Sequence, residues 1–377
     1  MTNAVVLGAG MIGSVMAADL SADAAFSVIV ADASSENLAR VEARTKGRAK
    51  TVRADLSDAV VLRKTIADAD IVLGALSSRI AFAALRTIIE AGKSYCDISF
   101  MAEDPLELDS LARARGVTAV VDCGVAPGMS HMLAGYAAAK LTPCENIEIY
   151  VGGLPRERRW PFQYKAAFSP SDVIEEYTRP TRLVEHGKVV VREALSEPEL
   201  MDFAGVGTLE AFNTDGLRSL VKTLVGKVPF MKEKTLRYPG HIELMRVLRE
   251  TGYFGEEPVK VGGVEIRPRD LTAKLMFPKW TYGPGEEDLT VMRVIGEGGG
   301  KRMQWDLLDF YDRATQATSM ARTTAFPCAI VARMVASGKW KKPGVFTPEF
   351  LGPESGVLEH VLAEHEKRGV RYIIRNG

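Results

Sequence analysis

Hydrophobic and polar positions alternate in blocks from the N-terminus to Asp122. Six short apolar runs stand out: "NAVVLG", "FSVIVAD", "AKTVRA", "DIVLGAL", "SYCDIS" and "VTAVVD". Between them lie amphipathic stretches with helical spacing. These are Met11 to Leu20, Ser35 to Thr45, "SDAVVLRKTIADA", Ile80 to Ala91 and "EDPLELDSLARARG". Continuous apolar strands alternating with helices predict an α/β fold, a Rossmann-like doubly wound parallel sheet. A second strand–turn–helix follows at "VVDCGVAPGMSHMLAGYAAAK", its turn bracketed by Gly124 and Gly128.

The pattern changes after Lys140. "ENIEIYVGGLP" reads as a strand, and "SPSDVIEEY" as a helix with serine at its N-cap and Pro170 in its first turn. "RLVEHGKVVVRE" predicts a hairpin turning at His186-Gly187, and "DLTVMRVIGEGGGKRMQWDLLDF" two long strands joined at Gly296 to Gly300. Short connections between strands imply a second, α+β domain with a mixed or antiparallel sheet. From Ala314 a long helical stretch begins, which Pro327 is expected to kink or restart. The expected domains are 1–124, 125–313, and a C-terminal helical segment over 314–377. The alanine- and methionine-rich faces of that segment need a large apolar partner, so it is expected to pack back on the first domain.

Composition narrows the function classes. The chain has 377 residues, 46% hydrophobic and 25% charged, enough for two or three packed domains. Forty-eight basic residues balance 48 acidic ones, which argues against capture of nucleic acid or an anionic membrane. Four scattered cysteines, Cys96, Cys123, Cys144 and Cys328, fit a reducing cytoplasm and form no zinc or redox motif. No basic leader or long apolar span is seen, and no metal is expected.

The first apolar run ends in Gly8-Ala9-Gly10-Met11-Ile12-Gly13, a G-x-G-x-x-G between a strand and a helix. Gly8 permits the tight turn, Gly10 admits a pyrophosphate to the backbone, and Gly13 lets helix and strand pack closely. Asp32 ends the second strand, where its carboxylate accepts from an adenosine ribose and repels a 2′-phosphate. No arginine follows in "ADASSEN", so NAD is expected over NADP. Asp55 either sits beside the adenine or caps the next helix. Ala75, Leu76 and Ser77 end the fourth strand where a nicotinamide would lie. A Rossmann-like domain that binds no dinucleotide is the alternative.

"DCGVAPGM", "YVGGLP", "LEAFNTDGLRSL", "RYPGH" and "MARTTAFPCAIVA", in that order, resemble the saccharopine dehydrogenase family. Within it the resemblance is closest to the NAD-dependent lysine 6-dehydrogenases. "LEAFNTDG" departs from the "PNRDS"-like segment of saccharopine-forming members. The resemblance implies oxidation of an amino group with NAD by a homodimer, with the ε-amine of L-lysine as the expected reacting group. A saccharopine- or opine-type enzyme acting on a secondary amine is the alternative. Another is a non-catalytic protein that senses NAD or a metabolite.

Amine oxidation needs a proton acceptor and an anchor for the substrate carboxylate. Asp97 and His241 are the candidates for proton transfer. Asp97 and Asp122 end the fifth and sixth strands, where either takes a proton, holds an ammonium, or bonds backbone N–H groups in a turn. Glu210, Thr214, Arg218 and Tyr238 are candidate substrate contacts, with Arg218 able to clamp an α-carboxylate. Asp215 is expected to cap a helix. His131 is read as packed, and His186, His360 and His365 as solvated. The basic stretch Arg156 to Arg159 is the candidate anchor for a second carboxylate.

Overall fold

The computed structural model of the chain describes residues 1–166, 170–283 and 285–377. The N-terminal elements are β1 (Thr2–Leu7), α1 (Met11–Ser21), β2 (Phe26–Asp32), α2 (Ser35–Thr45), β3 (Lys50–Arg53) and α3 (Ala59–Thr65). They continue with β4 (Ile71–Gly74), α4 (Ser78–Glu90), β5 (Ser94–Asp97), α5 (Asp109–Ala114), β6 (Thr118–Val120) and α6 (Met129–Lys140). Next come β7 (Asn146–Pro155), α7 (Pro170–Thr178), β8 (Thr181–Glu185), β9 (Lys188–Arg192), β10 (Glu199–Phe203), β11 (Gly207–Asn213), α8 (Leu220–Thr223), β12 (Phe230–Arg237) and α9 (His241–Glu250). The chain ends with β13 (Val259–Val261), β14 (Val264–Ile266), α10 (Pro268–Trp280), β15 (Asp288–Gly298), β16 (Lys301–Phe310), α11 (Ser319–Ala336), β17 (Gly344–Phe346), α12 (Val357–Lys367) and β18 (Tyr372–Asn376).

Two compact units result, 1–136 with 321–370 and 137–320 with 371–377. The first holds a parallel seven-stranded sheet in the order β17-β6-β5-β4-β1-β2-β3. Leu7, Val72, Ile88 and Tyr95 lie in its buried core. All four residues of β4 and of β5 are buried; β4, Ile-Val-Leu-Gly, reads as an unbroken apolar run for that reason, whereas β5 buries Ser94 and Asp97 at its two ends. Strand order reverses between β1 and β4, and a crevice opens beyond the C-terminal ends of such strands.

Sequence reading gave this sheet six strands; the seventh, β17, comes from near the C-terminus and pairs with β6. Its three residues are too few to show a period. The expected segment 314–377 is divided, because residues 321–370 belong to the first unit and β18 joins the sheet of the second. Pro327 neither ends nor restarts α11, which runs from Ser319 to Ala336. Ala325, Cys328, Ala329, Ile330, Val331 and Ala332 are all buried around it, so packing holds the helix through the proline.

The second unit holds a nine-stranded mixed sheet along β10-β11-β12-β7-β15-β16-β18, with β8 on β12 and β9 on β8. β7 and β12 are parallel, and the β15–β16 hairpin turns at Gly299-Gly300. The expected serine N-cap of α7 lies outside the described residues. Asp215 is not the N-cap of α8, a position held by Ser219; its carboxylate takes a two-pronged bond from Arg182, at 2.8 Å and 2.8 Å. His365 is buried rather than solvated, with Nδ1 2.8 Å from the Val361 carbonyl. Among the described residues no helix is long and apolar enough to cross a membrane, and no group of three or more His, Cys, Asp or Glu side chains stands where it could hold a metal.

Candidate functional site

In the first unit the glycine turn sits at the crevice end of β1. Gly8 has φ +95°, and a Cβ there would lie 2.3 Å from the Ala75 carbonyl oxygen. A Cβ on Gly13 would lie 1.9 Å from the Gly8 oxygen. Both positions therefore admit only glycine while the turn keeps this shape. Gly10 differs: a Cβ there would meet nothing within 4 Å. Gly10 is also the N-cap of α1, and no side chain caps that helix. Uncapped N–H groups beside open space form a cradle for an anion. Met11 and Ile12, the next two expected contacts, supply the first-turn backbone.

Asp32 closes one side of this turn. Its Oδ2 accepts from the Ala9 N–H at 2.6 Å and its Oδ1 from the Ser34 N–H at 2.7 Å. Ala75 donates its N–H to Leu7, and Ser77 is the N-cap of α4 with no side-chain bond to that helix. Asp55 is exposed and bonds Ser57 through both its N–H and its hydroxyl. The cap of α3 is instead Asp58, which accepts from Val60 and Val61. The turn, Asp32 and uncapped α1 together fit the pyrophosphate and ribose of a dinucleotide.

Asp97 ends β5 fully buried. Its Oδ1 accepts from the Ser99 N–H at 3.0 Å and the Ser99 hydroxyl at 2.7 Å, and Ser99 Oγ accepts from the Leu76 N–H at 2.9 Å. Burial pushes the Asp97 carboxyl up to about 7, against the opposing pull of the Ser99 bonds. Asp97 thus fixes Leu76, one of the expected nicotinamide neighbours, and exposes no surface to a substrate. In this structure its oxygen Oδ1 is taken up by Ser99. Asp122, in the left-handed region at φ 54°, is 4% exposed, and its charge adds to the rise at Asp97. Cys96, Cys123 and Cys328, distant in sequence, are all buried; on top of burial, Cys123 raises the thiol pKa of Cys96, and both raise that of Cys328.

In the second unit His241 opens α9 and is buried. Its Nδ1 lies 2.9 Å from the Phe162 carbonyl and so carries the proton. Its Nε2, 2.9 Å from Tyr177 Oη, then accepts from that hydroxyl. Tyr177 in turn accepts from Arg237 Nε at 3.3 Å. Burial, reinforced by the Arg237 charge, lowers His241 to about 3. Both nitrogens of His241 are thus bonded within the second unit. Arg237 itself is buried, 2.7 Å from Glu176 Oε2, with its guanidinium 4.4 Å above the Tyr164 ring. Sequence reading missed this cluster.

The other expected substrate contacts are spread over the same unit. Glu210 on β11 accepts from the Gly240 N–H at 3.1 Å. Tyr238 donates to the Pro155 carbonyl at 3.0 Å, with Arg158 4.7 Å above its ring. Arg218 occupies a left-handed turn at φ 47° before α8. Thr214 donates to Glu233 Oε2 at 2.5 Å and lies 2.8 Å from the Thr235 hydroxyl. Burial pushes Glu233 up to about 8, opposed by the Thr214 bond.

That proton has a consequence for stability. The folded chain keeps it up to about pH 8, whereas an unfolded glutamate releases it near 4.5. Between these values the folded state binds more protons, so stability falls as pH rises. Glu233→Gln removes this slope. The variant's melting temperature should gain on the wild type as pH rises from about 5 to about 8. Melting curves that stay parallel across that range would show that Glu233 is ionised in the fold.

Residues 4–120 match the family model described as the saccharopine dehydrogenase NADP binding domain, and residues 124–370 that of the saccharopine dehydrogenase C-terminal domain. The alpha-aminoadipic semialdehyde synthase of Arabidopsis thaliana is 26% identical over 389 residues, covering 79% of this chain and 36% of the relative. The mouse protein of that name, from Mus musculus, is 23% identical over 80% of this chain and 40% of its own length, so the chain spans two fifths or less of these two relatives. The saccharopine dehydrogenase [NADP(+), L-glutamate-forming] of Schizosaccharomyces pombe is 23% identical over 89% of this chain and 90% of the relative. Among solved structures, apo histidine-tagged saccharopine dehydrogenase (L-Glu forming) from Saccharomyces cerevisiae shares the fold. Its TM-score is 0.82 at 19% identity, over 100% of both chains. Two family models meeting almost end to end, on the two domain types that the sheets display, place this chain in the saccharopine dehydrogenase family.

Proposed function

We propose that the chain is a nicotinamide-dinucleotide oxidoreductase acting on the amino-bearing carbon of an amino acid. Its proposed substrate is the ε-amine of L-lysine, and NAD is its favoured cofactor. The observation that carries this reading is the open space at Gly10 over the uncapped start of α1, beside Asp32. When bound, the dinucleotide supplies the hydride acceptor. The chain's own part is to hold it. The N–H groups of α1 take the pyrophosphate, Asp32 takes the ribose, and the Asp97–Ser99–Leu76 relay fixes the loop at the nicotinamide end. Once the ε-ammonium has given a proton to water and the ε-carbon its hydride, hydrolysis of the resulting imine gives a semialdehyde and ammonium. Arg218 is our proposed anchor for the α-carboxylate.

The name saccharopine dehydrogenase raises a second reading, a saccharopine- or opine-type enzyme acting on a secondary amine that joins an amino acid to an oxo acid. Such a substrate needs a second carboxylate anchor. The Arg156–Arg159 stretch is already engaged: Arg156 pairs with Glu287 at 2.7 Å, Arg159 with Glu157 at 2.6 Å and Glu286 at 2.9 Å. Arg158 donates to Gln163. This favours the primary amine. A steady-state assay of dinucleotide reduction across amino acids and diamines, with and without oxo acids, tests the proposal. Lysine alone should be oxidised, and Arg218→Ala should cost about ten- to a hundredfold in kcat/KM for lysine but little for a simple diamine. Turnover only in the reductive direction with an oxo acid present would favour the second reading.

A further inference from the structure

We propose that the first unit carries a second small-molecule site, a cleft that takes an organic carboxylate with an apolar body. The cleft has a volume of about 680 Å³, and every residue lining it belongs to this unit. That size lies within the range of about 300–1,000 Å³ usual for small-molecule sites. Thr2 and Phe26, the first residues of β1 and β2, form part of its wall. The glycine turn follows the other end of β1, six strand residues away, a span of about 20 Å. The cleft therefore stands apart from the dinucleotide cradle and does not depend on that reading.

Its floor is apolar, with Ile330 and Met334 of α11 and Phe26 among the lining residues. Charge surrounds that floor: three carboxylates and four cationic side chains line the cleft, with His360 beside them. Asp19, in the last turn of α1, accepts from both Arg333 and Arg368. Glu364 accepts from Arg368 at 2.7 Å and from Lys367 at 2.6 Å, and Asp23 lies 3.5 Å from Arg333. Every carboxylate thus has a cation, and three of the four cations have a carboxylate. The fourth, Lys339, is exposed and makes no hydrogen bond or ion pair among the described residues. Burial lowers the pKa of His360 on α12, and the charges of Lys339, Lys367 and Arg368 lower it further against the pull of Glu364. A positive potential therefore gathers where Lys339 and His360 meet. A carboxylate between these two meets the surplus charge, while its apolar body covers Ile330 and Met334.

Titration calorimetry of the full chain tests this without turnover, using 3-phenylpropionate as the probe and 3-phenylpropanamide as its uncharged counterpart. Wild type should bind the acid with a dissociation constant below about 1 mM, and the amide at least about tenfold more weakly. Lys339→Ala should weaken the acid about tenfold and leave the amide within about twofold, the scale of one lost charge-assisted bond. Ala22→Trp places a bulky ring in the cleft from an exposed position and should abolish binding of both. Thermal melting of the two variants checks that each still folds, as substitutions at exposed positions should. A wild type that does not bind the acid, that binds acid and amide alike, or whose affinity for the acid survives either substitution would overturn the site.

Discussion

Gly13→Ala should raise the dissociation constant for the dinucleotide at least about a hundredfold, a loss of about 2.8 kcal/mol. The new methyl carbon would sit 1.9 Å from the Gly8 carbonyl oxygen, a backbone atom with no flexible end to move aside. The turn must open, and opening it withdraws the N–H groups of α1 from the cradle. Asp32 would lose its bond to Ala9 with it, because Ala9 lies inside the displaced turn. Gly10→Ala is the control. Its methyl meets nothing within 4 Å, so the melting temperature of the free chain should hold while dinucleotide affinity falls. Calorimetric titration and thermal melting of the two variants separate a displaced turn from a filled cradle. An affinity within about threefold of wild type for Gly13→Ala would mean that the turn binds no pyrophosphate.

Arg237→Met should lower the stability of the second unit by about 3 kcal/mol or more. The side chain is 2% exposed and joins four partners at once: Glu176, the Tyr177 hydroxyl, the Leu236 carbonyl and the Tyr164 ring. Methionine fills much of the same volume but returns none of these contacts. It also leaves the buried Tyr177 oxygen without its charged donor, and Tyr177 is the group that holds His241 Nε2. Tyr177→Phe, which removes one hydroxyl, should cost about 1 kcal/mol. Urea denaturation read from Trp280 fluorescence reports this unit, since Trp280 packs edge-on against Tyr164 with ring centroids 5.3 Å apart. A loss under about 1 kcal/mol for Arg237→Met would show that the cluster contributes little to the fold.

Local signals carried much of the fold. Apolar runs alternating with amphipathic helices gave the order of β1 to β6, most sharply at β1 and β4, where strands buried on both faces have few polar positions to blur them. The glycine turn was legible for the same reason: a Cβ is excluded at Gly8 and Gly13 by contacts within a few residues or within one strand pair. What depends on register was not legible. β17 reaches β6 across more than two hundred residues. The end of a strand also leaves open which way a side chain faces, and Asp97 points into the protein, where Ser99 holds it. The Arg237 cluster draws Phe162 and Tyr164 from the chain after β7, Glu176 and Tyr177 from α7, His241 from α9 and Trp280 from α10, and no spacing in the sequence announces it.

The central claim is hydride transfer from an amino-bearing carbon to a bound dinucleotide. L-lysine deuterated at its ε-carbon, incubated with the protein and NAD, tests it most directly when the reduced dinucleotide is weighed by mass spectrometry. We expect the reduced dinucleotide to be one mass unit heavier than with ordinary lysine, and the reaction to be slower. Reduced dinucleotide that carries no deuterium, or no reduction at all with lysine and either dinucleotide, would contradict the assignment.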